Sequence, residues 1–99
     1  MKVLEVVPRR DSKKGLKTLL NEKERELRGS RTTFYRHRAG RWRHKAYSGW
    51  IKWDQSMGGA LVAEIQGREG MEWQLMQAFV GYLDRHLGDH IESITIRYR

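Results

Sequence analysis

No cysteine occurs in the 99 residues and only one proline, Pro8. The first absence excludes a disulfide framework, thiolate metal sites and cysteine nucleophiles, so packing has to supply the stability. The second, with 38% hydrophobic residues and ten aromatics, argues for a folded chain and against a disordered one. No apolar run approaches the length of a membrane span, and the opening "MKVLEVVPRR" is broken by Glu5 too early to form a signal-peptide core. The expectation is one cytoplasmic domain over residues 1–99, without membrane contact, because so short a chain cannot divide and still bury two cores.

The most informative absence is local. From Arg31 to Trp53, "RTTFYRHRAGRWRHKAYSGWIKW" contains no acidic residue, but seven Lys or Arg, two His and six aromatic side chains. Residues 1–53 carry sixteen basic against five acidic residues, and residues 54–99 four against seven, giving +11 and −3 within a net +8. Such concentration raises the local potential and favours encounter with polyanions.

Hydrophobic spacing predicts the elements. Val3–Val7 reads as a short β-branched strand closed by Pro8. A helix follows over roughly 12–28, with Asp11 or Ser12 as N-cap, Leu16, Leu19, Leu20 and Leu27 on one stripe, a Glu24–Arg28 pair and Gly29 as the stop. The basic stretch reads as a hairpin: Thr32–Arg38, a turn at Ala39-Gly40, then one long strand from Arg41 to about Trp53 with a bulge or bend at Gly49. "QSMGG" is the next turn and Ala60–Gln66 a central strand. Trp73, Met76, Phe79, Val80, Leu83 and Leu87 recur at three and four, predicting a helix from Met71 to Leu87 ended by Gly88. Ile91–Tyr98 alternates as a half-buried strand.

The order β-α-β-β-β-α-β implies an α+β, two-layer fold: a mixed, mostly antiparallel sheet of about five strands with both helices on one face. At the level of topology this resembles a ferredoxin-like split β-α-β with an additional strand. Fold analogy carries no function.

If Ala39-Gly40 are the two central turn residues, Phe34, Arg36, Arg38, Arg41, Arg43, Lys45 and Tyr47 share one sheet face, and Tyr35, His37, Trp42, His44 and Ala46 the other. Arg–Arg pairs directly opposed cost up to about 1 kcal/mol each, and a bound polyanion relieves them. The expectation is therefore a non-enzymatic module that binds single-stranded DNA or RNA, with Arg36, Arg38, Arg41, Arg43 and Lys45 on phosphate and Phe34 and Tyr47 stacking on bases. A bulged turn shifts the pairing by one residue and dissolves that face. The alternative is an interaction module, either a homo-oligomer or a subunit meeting an acidic protein, with the edge strand Ile91–Tyr98 or the hairpin as contact. A third reading, a small enzyme, needs a pocket joining His37, His44, His86 or His90 to Glu64, Asp84 or Asp89. The H-x3-H spacing of His86 and His90 spans Gly88, which argues against a metal site, and "SMGGA" lacks the residues of a phosphate loop. No cofactor is expected.

Overall fold

The structure, a computed structural model, describes residues 1–27, 33–38, 41–56 and 59–99, with Arg38 described through its strand pairing alone. The Gly29 stop, the Glu24–Arg28 pair, the turn at Ala39-Gly40 and Met57-Gly58 of the next turn lie outside these residues. The elements run β1 (Lys2–Pro8), α1 (Leu16–Leu27), β2 (Phe34–Arg38), β3 (Arg41–His44), β4 (Gly49–Gln55), β5 (Leu61–Gly67), α2 (Glu72–Leu87) and β6 (Ile91–Tyr98), with a short 3-10 turn at Gly88–His90. They form one six-stranded sheet of order β2-β3-β4-β5-β1-β6.

Two features of the expected sheet are corrected. Every strand pair is antiparallel, so the sheet is not mixed. The long strand predicted from Arg41 to Trp53 is two strands, and the order becomes β-α-β-β-β-β-α-β. The break has a local cause at Gly49, whose φ is +127° and whose absent Cβ would stand 2.2 Å from the Gln66 carbonyl oxygen. An L side chain fits neither that backbone nor that space. The chain therefore turns at Lys45–Ser48 and re-enters the sheet beside β5. The α+β class, with two helices on one face of the sheet, agrees with the expectation, and the strand order leaves β1 between β5 and β6.

The first helix starts at Leu16, four residues later than its predicted cap. The Ser12 hydroxyl donates to the Lys14 carbonyl at 3.0 Å, closing a turn, and Gly15 accepts the first helical bond from the Leu19 N–H. Leu16, Leu20 and Glu24 are then the buried positions, one turn apart, while Leu19 and Leu27 pack at the margin. At the other helix, Gly88 ends α2 without a left-handed conformation (φ −52°) and leads directly into the 3-10 turn.

Both helices cover the same side of the sheet. Leu4 and Val6 of β1, Ile51 and Trp53 of β4, and Leu61, Ala63 and Ile65 of β5 point towards them, meeting Leu16 and Leu20 from α1 and Leu75, Met76, Phe79 and Leu83 from α2. An aromatic cluster extends this core under the hairpin: Phe34 lies edge-on to Phe79 and Tyr82 at 5.8 and 5.2 Å, and Trp42 lies 4.0 Å from Trp53. Such pairs add about 0.5–1.5 kcal/mol each beyond their buried area. No helix among the described residues is long and apolar enough to cross a membrane.

Candidate polyanion-binding face

The register of β2 on β3 decides which side chains the open side of the sheet presents. Arg38 pairs with Arg41, but Arg36 pairs with Trp42, Tyr35 with Arg43 and Phe34 with His44. His37 is the extra residue of a β-bulge, so the two strands do not keep the register of a simple two-residue turn. The β3 half of the expectation stands: Trp42 packs inward, and Arg41 and Arg43 belong to the open side. The β2 half is inverted. Phe34 is 2% exposed in the aromatic cluster, not a free stacking group, and Tyr35, 39% exposed, takes the open side in its place. The Arg-rich face expected from Phe34, Arg36, Arg38, Arg41, Arg43, Lys45 and Tyr47 is therefore not formed.

A different basic face is formed. Arg38 stands opposite Arg41, and Arg41 opposite Lys52 of β4, a row of three cationic residues across three strands that ends where Lys52 pairs with Glu64. Beside it runs Arg43, paired with Tyr35. Trp50 lies two residues from Lys52 on the same side, and the Arg41 guanidinium sits 4.8 Å above its ring. That cation–π contact holds the Arg41 guanidinium over the Trp50 ring. Among the described residues, the buried Nε of Arg43 has no hydrogen-bond partner, and such an unmet donor costs about 1–3 kcal/mol.

The remaining predicted residues scatter around this face. Arg36, in register with inward-facing Trp42, is exposed and lines a pocket of about 280 Å³ that reaches Asn21, the Lys17–Asp54 ion pair and Lys52. That pair, at 2.8 Å, holds the Asp54 carboxyl below its ordinary range. Lys45 is in the β3–β4 connection, its N–H bonded to the Thr33 carbonyl, and its side chain is exposed. With Tyr35, Arg43, Tyr47 and Glu69 it lines a second pocket of about 220 Å³. Tyr47 is half-buried and stacked on His44 at 4.7 Å, so one side of its ring is already occupied. Lys52 was legible in "WIKWDQ", where alternation puts Ile51 and Trp53 inward and Trp50 and Lys52 outward. Tyr35 was not, because its side depends on the bulge.

The histidines do not converge. His37 is exposed at the bulge, and His44 faces Phe34. The Ala46 N–H donates to His44 Nδ1, which requires a neutral ring, and burial lowers its pKa. His86 lies edge-on to Tyr82, its pKa lowered by burial and by Lys23 and Arg85. His90 shares a pocket of about 470 Å³ with Asp89, Asp11 and Ser12, and its Nδ1 is 3.4 Å from the Ser12 hydroxyl. The single hydroxyl proton already goes to the Lys14 carbonyl, so the imidazole is the donor here and does not activate the serine. Among the described residues no three His, Asp or Glu side chains are grouped to hold a metal ion.

No protein-family model, curated protein or solved structure matches the chain.

Proposed function

We propose that the protein binds single-stranded nucleic acid, DNA or RNA, on the open side of β2, β3 and β4. The observation that carries the reading is the directly opposed cationic pair Arg41–Lys52 lying beside Tyr35, Arg43 and Trp50. Like charges placed directly opposite on a sheet cost several tenths of a kcal/mol per pair, and phosphates relieve that cost while releasing their counterions. Arg41, Arg43 and Lys52 contact phosphates, and Lys45 extends the path over the β3–β4 connection. Tyr35, and the part of Trp50 that Arg41 leaves open, offer surfaces for bases, a combination of cations and ring faces that tolerates any sequence.

Fluorescence anisotropy with labelled DNA and RNA oligonucleotides at a series of salt concentrations tests this. Four phosphate contacts predict a slope of about −3 in log K against log salt, at roughly 0.7 per contact on a single strand. The triple variant Arg41→Gln, Arg43→Gln, Lys52→Gln flattens the slope by about 2, whereas Arg85→Gln, on α2, leaves it unchanged. Absence of binding at low salt, or equal slopes for the triple variant and the parent, refutes the reading.

A further inference from the structure

The sheet has two edges, and they are built differently. β2 is five residues long, bulged at His37 and dense in Arg and His, all features that discourage another strand from adding to it. β6 is regular over Ser93–Tyr98, and its one bulge, with Glu92 as the extra residue opposite Val7 and Pro8, lies at its start. It is eight residues long and continues to the reciprocal bonds between Met1 and Arg99. Because Arg99 bonds inward to Met1, strand alternation directs the N–H and C=O of Arg97, Thr95 and Ser93 towards β1. Those of Ile94, Ile96 and Tyr98 face away from the sheet.

The side chains at this edge are also incompletely covered. Ile96 is 39% exposed, Tyr98 71% and Trp73 46%, three of the four large exposed hydrophobic residues described. Ile96 and Tyr98 pair with Leu4 and Lys2 and so belong to the helix-covered side. Lys2 joins them to α2: its Nζ is 2.8 Å from Glu72 and 5.4 Å from the Tyr98 ring. Phe79 and Tyr82 turn towards Phe34 of the hairpin, and exposed Trp73 follows Glu72 at the start of α2. Ile96 and Tyr98 thus lie, incompletely covered, along an open row of backbone donors and acceptors.

We infer that β6 pairs antiparallel with β6 of a second copy, making a continuous twelve-stranded sheet. The strand is complementary to itself in that direction. With the two-fold axis at Thr95, Ile94 meets Ile96 of the second copy and Ser93 meets Arg97, and each opposed pair joins residues on the same side of the sheet. Charge agrees: the strand has Glu92 at its start and Arg97 and Arg99 at its end, so antiparallel pairing sets the acidic end of one copy beside the basic end of the other. A perpendicular two-fold keeps both open sides on one surface, with the two basic faces at its opposite ends. The pairing is independent of what those faces bind.

Sedimentation equilibrium over a concentration series, combined with amide hydrogen exchange, tests it. The expected mass is twice the 11.8 kDa of the chain, with the amides of Ile94 and Ile96 protected in the dimer and fast in the monomer. Ile96→Lys introduces two charges into the pairing and raises the dimer Kd at least about 100-fold. Thr95→Lys is the second variant. It sets Lys beside Glu5 within the monomer, which favours folding, but opposes Lys to Lys at the axis and also dissociates the dimer. A monomer at all concentrations, a dimer with unprotected Ile94 and Ile96 amides, or a dimer unaffected by both variants overturns the inference.

Discussion

Replacing Phe34 and Tyr35 one at a time distinguishes the bulged register from the unbulged one, because the two residues exchange roles between them. Phe34 is 2% exposed and lies edge-on to His44, Phe79 and Tyr82 at 4.8, 5.8 and 5.2 Å. Truncating such a side chain removes its transfer energy and three ring contacts and leaves a cavity between hairpin and α2. Phe34→Ala therefore costs about 3–5 kcal/mol, or about 15–30 °C in Tm for a domain of this size. That is a large share of the roughly 5–15 kcal/mol typical of a folded protein, so Phe34→Leu, at about 1–2 kcal/mol, is the variant to use if the first does not fold. Tyr35 contributes only a half-exposed cross-strand pair with Arg43, and Tyr35→Ala costs under about 1 kcal/mol in stability while weakening oligonucleotide binding. Urea unfolding followed by tryptophan fluorescence measures both, since Trp42 and Trp53 report on the affected core. A Phe34→Ala cost below that of Tyr35→Ala would refute the bulged register and with it the assignment of Tyr35, Arg41 and Arg43 to one face.

Two further outcomes follow from the geometry. Gly49→Ala forces a Cβ to within 2.2 Å of the Gln66 carbonyl at a φ of +127°, and is expected to destabilise by about 2 kcal/mol or more. Gly81→Ala, where an added Cβ meets nothing within 4 Å inside α2, is expected to stabilise by up to about 1 kcal/mol; thermal melts of the pair check the contrast. Stability also narrows from both sides of the pH scale. The lowered pKa of His44 means the unfolded chain binds the proton more readily, so stability falls as pH drops below the ordinary value of 6.5. Protonation of Nδ1 also removes the acceptor for the Ala46 N–H. At the alkaline end, burial and the charge of Glu24 push Tyr82 up to about 12, so stability falls again as pH rises from 10 towards that value. Urea midpoints against pH should show both losses, with His44→Phe reducing the acid one and Tyr82→Phe the alkaline one.

The local elements were legible in the residues alone, because each rests on forces acting within a few residues. The three-and-four spacing of Met76, Phe79, Leu83 and Leu87 marks the buried side of α2, although Trp73, which the same spacing placed there, is 46% exposed. The alternation of Ile51 and Trp53 with Trp50 and Lys52 marks β4, whereas the antiparallel partners of β1 were not legible, and a mixed sheet was the expectation. The absence of acids from Arg31 to Trp53 likewise marked where positive charge would concentrate. The side of the sheet taken by Phe34, Tyr35 and Arg36 was decided only by the tertiary structure. A side-chain period of two makes one bulged residue, His37, invert everything before it on its strand, and the bulge repays its irregular pairing by placing Phe34 against Phe79 and Tyr82, more than forty residues away. The same is true of the break between β3 and β4. Gly49 signals a bend in the sequence, but the bend becomes a strand boundary only because β5 brings the Gln66 carbonyl too close for any side chain.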